Sequence, residues 1–315
     1  MLDSVFTNGV IAVKEKSLLG DKLLRFCEMS AEEVLRTLKE SGFGSSAESS
    51  DGEKLCETEE SALDGFIREY APTKYELAYL LAPRDFHNAK ALCKAELLGT
   101  EADKLLAPEG LIPVTDITAA IKSGDYEALG KELGAAVKEV FGCEEITGAE
   151  IGAIFDSALF RHLSICCRFR PLLKKLLAGR ADRINILTAL RAAGREFAEK
   201  LYVDGGILKK QQLNRIFEGE TEGAEKTFDG TPYADFYKMC LAAKEKGMPF
   251  TGAEQALESF EAEYFWEKRF ELEGKQPFLY YVFRRRAEIQ NVRIILVCLN
   301  AGLSAADIKK RLRAV

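Results

Sequence analysis

Asp85-Phe86-His87-Asn88-Ala89-Lys90 decides the fold, because the same short polar pattern returns twice further along the chain. It comes back as Asp182-Arg183-Ile184-Asn185-Ile186-Leu187 and again as Glu288-Ile289-Gln290-Asn291-Val292-Arg293. Each copy is an acid, two residues, an asparagine, a small or aliphatic residue and, in the first and third copies, a base. A leucine-rich stretch closed by glycine follows each one, at Gly99, Gly194 and Gly302. A signature that recurs at intervals of about a hundred residues points to a repeated architecture and away from a single active site.

The residues around the three copies carry a helical period. Phe86, Ala89, Cys93 and Leu97 recur at steps of three and four. So do Ile186, Leu190, Ala193, Phe197 and Leu201, and then Ile289, Val292, Leu296, Leu299 and Leu303. That is the spacing of a helix with one apolar face. Capping pairs at Ser30-x-x-Glu33, Thr147-x-x-Glu150, Thr251-x-x-Glu254 and Ser304-x-x-Asp307 mark helix starts. No run alternates apolar and polar residues in the manner of a strand. The expected fold is all-α, made of three pseudo-repeated helical bundles of about three helices each.

The bundles are placed at 1–113, 114–213 and 214–315, with boundaries in the polar or turn-rich stretches Pro113 to Thr118 and Gln211 to Asn214. Looser matches support the repeat. Asp156 with Phe160 and Glu261 with Phe265 precede the second and third copies, and Asp64 with Arg68 precedes the first. After the signatures, Leu106-Ala-Pro-Glu-Gly110-Leu-Ile aligns with Leu201-Tyr-Val-Asp-Gly205-Gly-Ile. The Gly-, Ser- and Glu-rich run Ser41 to Ser61 reads as a surface loop or linker, with interior loops at Gly219 to Pro232 and Glu273 to Pro277.

The 315 residues, 47% of them hydrophobic, can bury a large core. A net charge of −6 argues against a general nucleic-acid binder. The charge is uneven: Glu32 to Asp64 holds ten acids and three bases, whereas Arg284 onward holds eight bases and two acids. No stretch approaches the roughly 20 apolar residues needed to span a bilayer, and the first residues lack a secretion-signal pattern. Cys27, Cys56, Cys93, Cys143, Cys166, Cys167, Cys240 and Cys298 form no Cys-x-x-Cys pair. They read as thiols in a reducing, cytoplasmic compartment.

Residues three apart share a helix face, so Asp85, Asp182 and Glu288 sit beside Asn88, Asn185 and Asn291. An asparagine in mid-helix needs a compensating contact. The expected arrangement ties each amide to the backbone of a neighbouring helix, with the acid anchoring a base such as Lys90 or Arg293. The competing reading gathers the three carboxylates at one site for a cation or for acid–base chemistry. The structural reading is preferred because buried polar groups usually find local partners.

Little else carries chemistry. No phosphate-cradling Gly-x-x-x-x-Gly-Lys-Ser/Thr loop and no acidic cluster for magnesium occurs. His87 and His162 are too far apart for a zinc pair, and His87 reads as a helix-surface residue. Cys166-Cys167 adjoins Arg168 and Arg170, which could lower a thiol pKa, but a pair of core cysteines is the reading taken. No catalytic residue, metal or cofactor is assigned. The run Arg284-Arg285-Arg286 is either a partner surface or a solvated face paired with the acidic first unit. If it is a partner surface, reversing all three to Glu weakens assembly and leaves the fold intact.

Several of these stretches together resemble the C subunit of archaeal and bacterial V-type (A-type) rotary ATPases, counterpart of the eukaryotic d subunit. Gly9-Val-Ile-Ala-Val-Lys14 through Leu18-Leu19, then Ser30-Ala-Glu-Glu-Val-Leu35 and the turn Gly42-Phe-Gly44, are similar to that family's opening helices. The three signatures are similar to its pseudo-repeats. The sequence departs from the pattern at Leu187, where the base is missing, and in the acidic, Ser-rich segment after Gly44.

The resemblance implies three lobes arranged as a funnel around a pseudo-threefold axis. It also implies a non-catalytic central-stalk subunit, peripheral on the cytoplasmic face of the membrane. Its partners would be the axle subunits D and F and the rotor ring of proteolipid subunits, and its task to couple axle to ring for proton or sodium transport. The alternative, on the residues alone, is a stand-alone helical scaffold or a nucleic-acid adaptor using the basic C-terminal patch.

Overall fold

The structure is a computed structural model that describes residues 4–45, 47, 51–192, 201–218 and 226–313. Ala193 and Phe197 of the expected second stripe, the closing Gly194 and residues 219–225 of the expected loop Gly219 to Pro232 lie outside the described residues. Among those described the secondary structure is helical, with no strand, in agreement with the all-α expectation.

The chain divides into two compact units. One joins Met1–Lys74 to Glu254–Val315, and the other is Tyr75–Ala253. The first unit holds α1 (Ser4–Lys14), α2 (Lys22–Phe26), α3 (Ala31–Glu40) and α4 (Gly52–Tyr70). The second holds nearly all of α5 (Lys74–Leu98), then α6 (Val114–Ser123), α7 (Lys131–Gly142), α8 (Gly148–Cys166), α9 (Pro171–Ala192), α10 (Lys210–Phe217) and α11 (Ala234–Glu245). The first unit resumes within α12 (Thr251–Glu267) and ends with α13 (Gln276–Asn300) and α14 (Ala305–Lys309).

In the first unit α13 is the central helix, packed against α1, α2, α3, α4 and α14. It buries Phe278, Leu279, Val282, Ile289, Val292 and Ile295 on more than one face, as a helix surrounded by others must. Phe66 of α4 stacks on Phe278, ring centroids 5.7 Å apart, and meets Tyr281 edge-on at 5.0 Å. The turn Gly42-Phe43-Gly44 pushes the Phe43 side chain into the core. Both glycines take left-handed φ, 81° and 64°, which costs glycine alone nothing.

In the second unit Phe86 and Cys93 of α5, Ile117 and Ile121 of α6, Leu133 and Val137 of α7 and Phe155 of α8 form one buried cluster. Leu97, expected at the end of the α5 stripe, is exposed instead.

Local signals place most helix ends. Ser30 and Thr147 make full capping boxes: their hydroxyls accept from the N–H of Glu33 and Glu150, whose carboxylates accept from the cap N–H groups. Ser304 accepts from the N–H of Asp307, and α12 begins at Thr251. Ser30→Ala is expected to lower stability by about 1 kcal/mol, read as the shift of the denaturant midpoint. After α5 and α13 the chain turns at Gly99 and Gly302, with φ 62° and 73°. The N–H of Thr100 donates to Ala95 O, and that of Leu303 to Cys298 O, the same helix-ending turn in both copies.

Two local expectations change. The run Ser41 to Ser61 is not a loop throughout, because α4 begins at Gly52 and buries Leu55 and Cys56. The second boundary stretch, Gln211 to Asn214, lies inside α10, where Leu213 is buried, and Pro113 of the first stretch is the N-cap of α6.

Candidate functional site

The three signatures fall on α5, α9 and α13, and in each the asparagine does the same thing. Asn88 accepts from the N–H of Ala107 at 2.8 Å and donates to the carbonyl of Ala107 at 3.2 Å. Asn185 makes the same pair with Val203, at 2.8 and 2.9 Å. Asn291 makes it with Arg313, at 2.7 and 2.9 Å. Each amide therefore satisfies both polar groups of one backbone residue in the chain that follows its helix, 19, 18 and 22 positions downstream. The partner is non-helical backbone and not the next helix: Ala107 and Val203 lie in the connections leading to α6 and α10, and Arg313 follows α14.

The acids complete the device. Asp85 accepts from the N–H groups of Leu111 and Ile112, at 3.0 and 3.1 Å. Asp182 accepts from those of Ile207 and Leu208, both at 3.0 Å, and from the Tyr233 hydroxyl at 2.5 Å. Burial, and then the Asp182 carboxylate, raise the Tyr233 hydroxyl pKa, which keeps it a donor. Glu288 accepts from the N–H of Gly20 at 2.9 Å and from Arg285 at 3.2 Å.

In each case the residue after the bonded N–H is a helix N-cap: Pro113 before α6, Lys209 before α10, Asp21 before α2. Two acids hold the turn into the next helix, and the third holds an equivalent turn far upstream.

The geometry corrects the alignment of the connecting segments by one residue. Ala107 corresponds to Val203, not Tyr202, and Gly110 corresponds to Gly206, not Gly205. A Cβ on Gly110 would run into the Asp85 carboxylate, and one on Gly206 into that of Asp182. Glycine is required there by the close approach of backbone to acid. Gly206→Ala is expected to destabilise by about 1–3 kcal/mol, with thermal unfolding as the readout; an unshifted midpoint would mean that the carboxylate moves aside freely.

The bases do not pair with their own acids, contrary to expectation. Lys90 reaches Asp156 on α8 at 3.0 Å. Arg293 spans Glu53 and Glu60 on α4, at 2.7 and 3.1 Å, and their bonds raise its pKa further. Glu60 thus plays for Arg293 the part that Asp156 plays for Lys90, a part that Asp64 holds in the sequence alignment. Leu187, in the place of the missing base, is buried. Because Asp156 is half exposed, Lys90→Ala is expected to cost less than about 1 kcal/mol by denaturant titration.

The arginine run separates into different environments. Arg285 is 5% exposed and bonded to Glu59 at 2.6 Å as well as to Glu288. Burial works to lower its pKa, but the Glu59 and Glu288 carboxylates outweigh it. Arg284 lies over the rings of Trp266 and Tyr280, and Arg286 is half-buried. Of the three, Arg285 is buried in the fold, whereas Arg284 and Arg286 are not fully buried. Reversing all three charges would attack the fold itself, so a test of assembly changes only those two.

His87 donates from Nε2 to the Leu105 carbonyl, 2.9 Å away, on the surface of α5. Among the described residues no cluster of three or more His, Cys, Asp or Glu side chains could hold a metal ion. No described helix is long and apolar enough to cross a membrane.

A clamp repeated on three helices places the chain among helical proteins with an internal repeat. Residues 7–311 match the family model of the ATP synthase (C/AC39) subunit, and the chain belongs to that family. It is 25% identical over 277 residues to the C subunit of the V-type sodium ATPase of Enterococcus hirae, covering 84% of this chain and 83% of that one. It is 27% identical over 270 residues to the C subunit of the A-type ATP synthase of Desulfurococcus sp. (strain SY), covering 75% of this chain and 71% of that one.

Proposed function

We propose that the protein is a non-catalytic central-stalk component of a V/A-type rotary ATPase, coupling the rotating axle to the membrane rotor ring for proton or sodium transport. In this reading it is peripheral on the cytoplasmic face of the membrane and contacts the axle subunits D and F and the proteolipid ring. The observation that carries the proposal is the clamp repeated at Asn88, Asn185 and Asn291 in a chain of the C/AC39 family. A part that passes torque must not yield under load. Segments outside the helices are the softest parts of a helical protein; here all three are bonded to a helix asparagine, and the two that lead into α6 and α10 are also bonded to the acid of the same helix.

The asparagine ties also support a three-lobe organisation, since Asn88, Asn185 and Asn291 each bond within one of the ranges 1–113, 114–213 and 214–315, while Glu288 reaches back to Gly20. The arrangement of those lobes as a funnel belongs to the same proposal.

Native mass spectrometry of the chain mixed with subunits D and F from the same source tests the assignment. The expected result is a complex of one copy of each. A chain that stays alone with D and F, and instead binds RNA with a steep salt dependence, would favour the adaptor reading.

A further inference from the structure

Of the eight cysteines, most are sealed in the core: burial pushes the thiols of Cys56, Cys93, Cys167 and Cys240 up to about 12. Cys166 is different. It is partly exposed, near the C-terminal end of α8, and His162 lies one turn before it on the same face. Its Sγ is 3.6 Å from His162 Nε2. On the other side of the ring, Nδ1 is 3.7 Å from Glu132 Oε2 on α7. The Phe86 ring packs against the imidazole, with centroids 5.6 Å apart, and restricts its rotation. A carboxylate facing Nδ1 favours the proton there and leaves Nε2 free to accept from the thiol. Thiol, imidazole and carboxylate thus stand in the order in which a base, itself oriented by a third group, activates a nucleophile.

We propose that Cys166 is a modification site: a thiol activated by His162, held in place by Glu132, that reacts with hydroperoxides to give a sulfenic acid. The proposal is independent of the rotary assignment. His162 Nε2 takes the thiol proton, and the thiolate attacks one peroxide oxygen. The S–O bond forms as the O–O bond breaks. Sulfur is oxidised, and the peroxide is reduced, its departing oxygen taking the proton back from His162 and leaving as water from hydrogen peroxide or as an alcohol from an organic hydroperoxide. The reactive form is the thiolate, so a neighbouring acceptor raises the rate at neutral pH. Exposed Ile165 and Phe169 flank the site, so the product places a polar group within an apolar surface.

The test uses the full chain, hydrogen peroxide and dimedone, with labelling at each cysteine followed by peptide mass spectrometry. Cys143, exposed and bonded only to the Glu139 carbonyl of its own helix, is the internal reference. Cys166 is expected to label about tenfold faster than Cys143, and His162→Gln to remove most of that advantage without altering Cys143. Glu132→Gln slows Cys166 in the same direction, which serves if His162→Gln does not fold. Labelling of Cys166 no faster than that of Cys143 in the wild-type chain overturns the proposal. So does a Cys166 rate that both folded variants leave unchanged.

Discussion

Arg285→Met is expected to cost the folded protein about 3–5 kcal/mol. The Glu288 side chain is fully buried and that of Glu59 is 14% exposed, and Arg285 is the cation between them. Each carboxylate keeps one backbone partner after the change, Gly20 N–H for Glu288 and Gly44 N–H for Glu59. Neither keeps a counter-charge, and two uncompensated negative charges in the same interior are the costly outcome. Adding Glu59→Gln and Glu288→Gln to the arginine variant should recover part of the loss, because neutral amides need no counter-ion. Chemical denaturation, with the slope held constant between variants, provides the comparison. A loss below about 1 kcal/mol would show that water reaches the network and screens it.

The second large effect belongs to the asparagines. Asn185→Leu removes two hydrogen bonds and leaves the N–H and carbonyl of buried Val203 without partners. An orphaned buried polar group costs about 1–3 kcal/mol, so the pair amounts to about 2–6 kcal/mol. Asn185→Asp is the sharper probe. It keeps an acceptor for the Val203 N–H and turns the donor into a second oxygen facing the Val203 carbonyl, so it too should destabilise, although its shape is unchanged. Equal stability for Asn185→Asp and the wild type would mean that the carbonyl half of the clamp contributes nothing. The same experiment at Asn291 asks whether the Arg313 segment is held with comparable strength.

What could be read from the sequence, and what could not, follows from the range of each interaction. The acid–asparagine pairs are three residues apart, so their shared face and their recurrence needed no structure. The destination of the amides, about twenty residues away along the chain, was only half visible. Two glycine-containing segments could be aligned, but the one-residue slip appears only when Gly110 and Gly206 are seen under their carboxylates.

Longer-range pairs were not legible at all. Arg285 meets Glu59 across 226 positions, and Arg293 meets Glu53 across 240. From the sequence alone, three adjacent arginines look like a surface patch whether or not one of them turns inward. The start of α4 was hidden by composition: Glu and Ser dominate the segment, and the spacing of Leu55, Cys56, Leu63 and Phe66 is the weaker signal. His162 and Cys166 did carry a readable sign, their four-residue separation on a helix. The third member, Glu132, comes from a different helix.

Amide hydrogen exchange at the clamped segments tests the central claim most directly. Ala107, Val203 and Arg313 lie outside α-helices, where amides ordinarily exchange fast. If the three signatures are one device used three times, the N–H groups of all three exchange slowly, and Asn185→Leu releases Val203 while Ala107 and Arg313 keep their protection. Fast exchange at these positions in the wild-type protein, or loss of protection at all three on changing one asparagine, would contradict it.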